Sequence, residues 1–419
     1  MHLMALAVFS TLMFVMLLNC AATAVWAWGL RRRAQKLLPD KECPKAAVVL
    51  CLRGRDPFLA DCLKALLDQD YPSFDVRIIV DAVDDPAWQI AQQIVDDAQA
   101  TNVRIEALAE RREMCSLKCS SLIQAVNSLD DSHEFVAQID ADTIAHRSWL
   151  RELATPLADE NVGATTGNRW YMPGDASWGT LVRYSWNAAA VVQMFLYNVA
   201  WGGTLAIKIK VFQQSDLLER WGHALCEDTM LFSELKKKGL RLVFVPSLMM
   251  VNRETCGLTD FYFWMRRQLL TARLYHPHWL AVAGHGILTG FATVGSALMI
   301  LITLALGDFD NAALLGAGFL LYQFVMLLLW PIMESTVRRI LRARHEPTEW
   351  VTAKKFANFV VTNVVMQFIY PAGLLSAMLL RKVEWRGIVY RVGRAGKIRM
   401  EADCPYQDAN CGAEKKMSL

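Results

Sequence analysis

The sequence predicts an α/β domain with a mostly parallel sheet, held between apolar segments long enough to cross a membrane. Three observations predict it. Between about residues 34 and 277, short β-branched runs alternate with helical patterns, the order that builds parallel sheets. Apolar runs of membrane-spanning length stand at both ends of that block. The composition is 54% hydrophobic and only 20% charged, with mean hydropathy +0.22. Soluble domains lie nearer about 45–50% apolar and about 25% charged.

The first element is residues 3–30, an apolar run followed at once by Arg31, Arg32 and Arg33. A cleaved leader carries positive charge before its apolar stretch, and this run has none. Residues 1–33 therefore read as a signal anchor with its arginines in the cytoplasm.

Residues 34–260 follow as the block able to build a water-soluble domain. Residues 46–52 (AAVVLCL) read as a buried strand ended by Gly54, Asp56 and Pro57. Asp56 as N-cap and Pro57 at the first helical position then open a helix. Strands are expected at 76–80, 103–108 and 135–139, and helices from Asp85-Pro86 to 98 and over 116–129. The last of these strands ends in Asp140-Ala141-Asp142. Further on, a helix over 229–238 closes at Gly239 and leads to a strand at 242–245. Ligands of parallel sheets gather at the carboxyl ends of the strands. The residues to watch are therefore Arg53, Asp81 to Asp85, and Asp140 to Asp142.

Residues 261–277 read as an amphipathic helix suited to a membrane surface; a core helix is the plainer alternative. Tyr262, Met265, Leu269 and Ala272 share one face, and Arg266 and Arg273 another. Residues 278–380 hold three apolar runs, at 279–306, 312–330 and 356–380. The loop 307–311 is acidic, whereas the loop before the last run carries Arg338, Arg339, Arg342, Arg344, Lys354 and Lys355. The positive-inside rule puts the first loop outside and the second inside. Four crossings then leave the tail, residues 381–419, outside. Yet that tail is basic, with Arg381, Lys382, Arg386, Arg391, Arg394, Lys397 and Arg399. Either one late run is re-entrant or the tail is an exception.

Other classes are excluded by count. The net charge is +3, from 44 basic and 41 acidic residues, so no nucleic-acid partner is expected. Ten cysteines in 419 residues make no disulfide scaffold. Cys115 and Cys119 have no following Cys/His pair to complete a zinc site. Reduced thiols facing the cytosol fit better.

Two acidic pairs carry the chemistry. Alternate residues of an extended segment point the same way. Asp140 and Asp142 thus offer a hard oxygen site for Mg²⁺ or Mn²⁺, which grips a diphosphate; a solvated turn is the plainer alternative. Glu227-Asp228 reads as a general base beside a helix start, with helix-dipole stabilisation as the plainer alternative. In Trp201-Gly202-Gly203-Thr204 the glycines permit a close approach of backbone to ligand, or merely a tight turn into an edge strand. His276, His278 and His285 read as interfacial side chains rather than catalytic ones.

These pieces, in this order, resemble the inverting, nucleotide-sugar-dependent glycosyltransferases of GT-A fold. Within them the chain looks most like the ceramide glucosyltransferase family. Leu52-Arg53-Gly54-Arg55-Asp56-Pro57 is similar to that family's first-strand motif, and Asp84-Asp85-Pro86-Ala87 to its uridine-side acidic motif. Lys118 matches a lysine after the third strand. Asp140-Ala141-Asp142 matches the metal-binding step and Glu227-Asp228 the catalytic-base step.

The resemblance implies Asp228 as base with Glu227 beside it. It implies Arg53, Asp84, Asp85, Lys118, Asp140 and Arg267 for the nucleotide sugar. Asp142, helped by Asp140, would hold a divalent cation, and Gly202, Gly203 and Thr204 would border the acceptor. The donor implied is UDP-glucose and the acceptor a lipid hydroxyl such as that of ceramide, met at the bilayer. The protein would be a multi-pass membrane enzyme with its catalytic domain on the cytoplasmic face, in a bacterial inner membrane or a Golgi-type membrane.

One motif departs from the family pattern. Its catalytic block usually ends in (Q/R)-x-x-R-W, and here the matching stretch is Arg267-Gln268-Leu269-Leu270-Thr271. The second arginine and the tryptophan are gone, and Arg266 and Arg273 are the nearest substitutes. In the tail, Trp385-Arg386-Gly387-Ile388-Val389-Tyr390 is similar to a recurrent tail segment of membrane glycosyltransferases; the sequence supplies no mechanism for it. Three rivals follow. A polysaccharide synthase needs a channel of more spans. A transporter or receptor conflicts with spans that lack a repeat and charged core residues. An inactive scaffold rests on the altered motif.

Overall fold

The computed structural model describes residues 1–31, 36–348 and 351–403. Arg32 and Arg33, and the tail beyond 403, lie outside the described residues.

The chain opens with α1 (His2–Leu30). The α/β domain then runs β1 (Ala46–Leu52), α2 (Leu59–Leu67), β2 (Phe74–Val80), α3 (Pro86–Asp97), β3 (Val103–Ala107), α4 (Leu117–Asn127), β4 (Phe135–Ile139) and α5 (Trp149–Ala154). It continues with β5 (Val162–Tyr171), α6 (Trp178–Tyr197), β6 (Thr204–Lys208), α7 (Ile209–Gln214), α8 (Leu217–Trp221), α9 (Leu231–Lys237), β7 (Arg241–Asn252) and α10 (Leu258–Tyr275). Three long helices follow, α11 (Trp279–Ala305), α12 (Phe309–Ala343) and α13 (Ala353–Leu379). A small sheet of β8 (Lys382–Trp385), β9 (Ile388–Val392) and β10 (Ile398–Asp403) closes the described chain.

The main sheet has seven strands in the order β3-β2-β1-β4-β6-β5-β7. All neighbours run parallel except β6, which is antiparallel to β4 and β5. β6 is therefore an interior strand, not the edge strand that the turn reading gave. The caps explain where two helices begin. Asp85 accepts from the Ala87 N–H at 2.8 Å and Ser116 from the Cys119 N–H at 3.1 Å, each satisfying a donor the first turn leaves open. Asp56 departs from expectation. It accepts from the Phe58 N–H at 2.9 Å, and α2 begins later, at Leu59.

Both faces of the sheet are covered. Leu59, Leu63 and Trp149 pack on one side, and Leu122, Trp221 and Leu231 on the other. Val383, Ile388 and Tyr390 of the small tail sheet belong to the second of these cores. The tail is thus built onto the same body as α4.

α1, α11, α12 and α13 are each long and apolar enough to cross a membrane. α1, α11 and α12 bundle through Leu12, Val15, Ala292 and Tyr322. At 35 residues α12 runs about 52 Å by helix geometry, beyond a hydrocarbon core of about 30 Å. Its end reaches the α/β domain, where Arg344 donates to the Ser247 and Met249 carbonyls at 2.8 and 2.9 Å. α13 is different. Near its start, Lys355 donates to the Pro173 carbonyl and Asn358 to that of Ala176. At its end, Arg273 of α10 donates to the Ala377 and Leu380 carbonyls. Both ends of α13 therefore touch the body formed by α6, α10 and the sheet.

Candidate active site

The carboxyl ends of β1, β4 and β5 open on a charged cavity of about 150 Å³. β1 delivers Arg53, β4 delivers Asp140 and Asp142, and β5 delivers Arg169. Lys118, in the first turn of α4, bridges two acids, reaching Asp140 at 2.7 Å and Glu227 at 2.8 Å. Burial opposes the charge on Lys118, but those two carboxylates outweigh it and hold its pKa well above the usual lysine range.

The two carboxylates of β4 differ. Asp140 has 28% of its side chain exposed and Asp142 only 3%. Asp142 accepts from Arg169 at 3.0 Å and Asn252 at 3.2 Å. Burial raises its pKa, the Arg169 charge opposing and the Asp140 charge adding to the rise. Asp140 is pulled the other way: burial opposes ionisation, but Lys118 and Arg169 prevail and lower its pKa. Two hard carboxylates stand here, and no group of three or more His, Cys, Asp or Glu side chains is placed for a metal among the described residues. This donor set fits Mg²⁺ or Mn²⁺ bound through one or two protein carboxylates and completed by phosphate and water.

Glu227 and Asp228 sit in the turn before α9, not in its first turn, so the helix dipole does not account for them. The Gly202 N–H donates to Asp228 Oδ2 at 2.9 Å. Burial raises the pKa of Asp228, with Lys118 and the Gly202 N–H opposing. Glu227 is raised too, by burial first, against Lys118. The glycines before β6 make this crowding possible. A Cβ on Gly202 would lie 1.8 Å from Glu227 Oε1, and one on Gly203 would lie 2.1 Å from the Trp201 ring and 2.7 Å from Asp140.

Three expected residues are placed elsewhere. Thr204 is fully buried, and its hydroxyl accepts from the Trp149 indole at 2.6 Å; it faces the core, because β6 is an interior strand. Asp85 caps α3 and also accepts from the Gly54 N–H at 2.9 Å, which commits its carboxylate to the fold. Asp84 is exposed and does not line the cavity. In their place stands Asp81, buried and paired with Arg53 and Arg111. Arg53 does line the cavity, yet its guanidinium ties Asp81 to Asp403 of the tail.

Arg169, Trp264, Trp385 and Arg386 also line the cavity. Arg169 lies in a strand whose sequence carries no chemical signal, and the rings of Trp201 and Tyr171 flank it at 5.0 and 5.3 Å. The tail pair was visible as a motif but not as part of the site.

A second cavity, of about 280 Å³ and largely apolar, lies among α1, α6, α10, α11, α12 and α13. Its few polar groups include a relay from Gln193 to His285 at 3.0 Å and from His285 to Asn19 at 3.1 Å. Arg169, Trp201, Asp228, Trp264, Gln268 and Thr271 line both cavities. Asp228 thus stands at the seam between a charged chamber and an apolar one.

Comparison with known proteins agrees with this architecture. An uncharacterized glycosyltransferase of Haemophilus influenzae is 19% identical over 218 residues, which cover 48% of this chain and 62% of that protein. The chain thus spans less than two thirds of that curated relative's length. Among solved structures, a mannosyltransferase from Pyrobaculum calidifontis in complex with GDP-Man and Mn²⁺ superposes with a TM-score of 0.53 at 18% identity. The match covers 80% of this chain and 99% of that one, and it shows a shared GT-A-like fold. Residues 11–398 match the family model for glycosyl transferase family 21, and the chain belongs to that family.

Proposed function

We propose that this glycosyltransferase moves a sugar, with inversion, from a nucleoside diphosphate carrier to the hydroxyl of a membrane lipid. The donor is UDP-glucose and the acceptor ceramide or a related lipid alcohol, as the sequence resemblance implies. One observation carries the reading: Asp228 borders a charged cavity and an apolar cavity at once. An apolar chamber among membrane-length helices suits a lipid tail, and a growing polysaccharide would find little there to hydrogen-bond.

Asp228 takes the proton of the acceptor hydroxyl. The Gly202 N–H fixes the carboxylate, and Lys118 holds Glu227 beside it. The acceptor oxygen attacks the anomeric carbon as the bond to the diphosphate breaks. Asp142 and Asp140 would hold a divalent cation, which when bound neutralises charge on the phosphates. Arg267 and Lys118 add positive charge to the same chamber.

The chain crosses the bilayer with α1, α11 and α12, and the catalytic domain faces the cytoplasm. α13 lies along that surface beside α10. The contacts at both of its ends support this, as does the core that the tail sheet shares with α4. Three crossings return the basic tail to the cytoplasm, which removes the conflict in the positive-inside rule.

Mass spectrometry of membranes supplied with labelled nucleotide sugars tests the reaction. A labelled glycolipid, absent with Asp228→Asn, is expected. A long labelled polymer, or free sugar alone, would refute the lipid acceptor. Added cysteines test the topology in intact cells. Lys354→Cys and Lys397→Cys should stay protected from an impermeant reagent, and Asp310→Cys should react.

A further inference from the structure

Two loose ends of the sequence meet in the charged cavity. One is the missing arginine and tryptophan after Arg267. The other is the tail segment Trp385–Tyr390, for which the sequence offered no mechanism. The nearby substitutes on α10 do not serve. Arg273 donates to the carbonyls of Ala377, Met378 and Leu380. Arg266 lies over the rings of Tyr262 and Phe263 at 5.4 and 5.6 Å. Neither lines the charged cavity.

Trp385 and Arg386 do. β8 and β9 are joined by a two-residue turn, with φ of 49° at Arg386 and 76° at Gly387. Such turns favour Asn-Gly, because both central residues take left-handed backbone. An arginine at the first position is unfavourable for the turn itself, so its side chain needs another reason to be there. The turn is pinned in the cavity wall. Arg386 donates to the Arg53 carbonyl and to Asp56, both at 2.9 Å, and Arg53 Nε donates to the Arg386 carbonyl at 3.0 Å. The Leu117 N–H, at the start of α4, donates to the Tyr390 hydroxyl at 3.2 Å.

Opposite the turn, Arg267 lies over the Trp385 ring at 4.9 Å. Among the described residues no carboxylate stands within ion-pair distance of Arg267. Burial and then the charges of Arg169 and Arg386 lower its pKa to about 10. Arg169, Arg267 and Arg386 thus stand close enough to disfavour one another's charge, in a cavity that also holds the carboxylates of β4.

We propose that the tail turn supplies what α10 lacks: Arg386 and Arg267, the latter stacked on Trp385, grip the diphosphate that leaves during transfer. The inference rests on the reading of the donor as a nucleoside diphosphate sugar. In that reaction the acceptor oxygen bonds to the anomeric carbon and its proton passes to Asp228. The bond from the anomeric carbon to the β-phosphate oxygen breaks, and its electron pair stays on that oxygen. The new negative charge forms where planar guanidinium donors bind best.

Binding to the purified full-length chain tests this, by calorimetry with Mn²⁺ and with UDP, GDP, UMP and GMP as probes. Wild type should bind one diphosphate well. Arg386→Ala should weaken that diphosphate at least about tenfold, the scale of a lost charge-assisted bond, and change the matching monophosphate less than about threefold. Arg386→Lys should fall between. Arg391→Ala, which breaks a pair with Glu401 away from the cavity, controls for loosening of the tail and should bind like wild type. Equal loss for the diphosphate and the monophosphate, an equal loss in Arg391→Ala, or unchanged binding in Arg386→Ala would each overturn the tail assignment while the donor reading stands. Failure of wild type to bind either diphosphate would overturn the donor reading, and this proposal with it.

Discussion

The two cavities that meet at Asp228 are made in opposite ways. The charged one is walled largely by strand ends and loops, and most of its carboxylates come from short motifs on β1 and β4 and before α9, with cations added from α4, β5, α10 and the tail turn. The apolar one is walled by six helices and owes its shape to side chains of Leu, Val, Met, Trp and Ala scattered over more than 300 residues. In the first, single atoms matter. In the second, volume and polarity matter and few single atoms do. On the proposed reading, chemistry placed between them gains from both sides: the charged wall would hold the leaving anion, and burial raises the proton affinity of Asp228.

Substitutions in the charged chamber should therefore cost far more than those in the apolar one. The largest effect is expected for Asp142→Asn. It should lower turnover about a thousandfold or more, the scale of metal-assisted charge stabilisation, and excess chelator should silence wild type. A folded Asp142→Asn protein with normal turnover would break the comparison at its strongest point.

Asp228→Asn comes next. General-base catalysis contributes about 10²–10⁴, so turnover should drop at least about a hundredfold with little change in nucleotide affinity. Glu227→Gln should cost less, since Lys118 already neutralises it. The reverse ranking would move the base to Glu227.

The pH profile follows from the same carboxylate. Asp228 accepts a proton only when ionised, so turnover at saturating nucleotide sugar should fall as pH is lowered through its raised pKa. The acid limb should then lie above the ordinary aspartate value of about 4. A limb at that ordinary value would mean that the apolar wall does not tune the base.

On the apolar side, Ala189→Phe adds bulk to the second cavity. The lipid KM should rise about tenfold, the scale of a crowded hydrophobic contact, with nucleotide affinity unchanged. Equal damage to both affinities would mean that the cavities are not separable. The smallest effect on transfer belongs to Thr204→Val. It leaves the Trp149 indole N–H without its acceptor and should cost about 1–3 kcal/mol of stability, seen as a lower Tm, while activity per folded molecule stays within about twofold.

The same contrast explains what the sequence made legible. The strand–helix alternation and the place of Asp140-Ala141-Asp142 could be read because each is local: a strand, its end and the side chain just beyond lie within a few residues. Lys118 came only with the family resemblance, since it stands eleven residues past the end of β3. Arg169 could not be read, since an arginine in a buried strand acquires meaning only through Asp142, 27 positions away. Asp85 was legible as the start of α3 but not as the acceptor of the Gly54 N–H. An acid after a strand can serve a ligand or cap the next helix, and only the fold shows which. The contacts at the two ends of α13 could not be read either, because hydropathy measures length and apolarity, not where the two ends of a helix come to rest.

The bond from Arg53 to the Arg386 carbonyl spans 333 residues, and that span sets an order of events during synthesis. The seven-stranded sheet is complete once residue 252 has emerged. At about 5–20 residues per second, Arg386 follows several seconds to half a minute later, after α11 and α12 have been made. Until then the nascent domain has its carboxylates but lacks the wall that the tail supplies. A chain interrupted before its last strands would carry the main sheet without its finished chamber, and on the proposed role of the tail turn it would transfer no sugar.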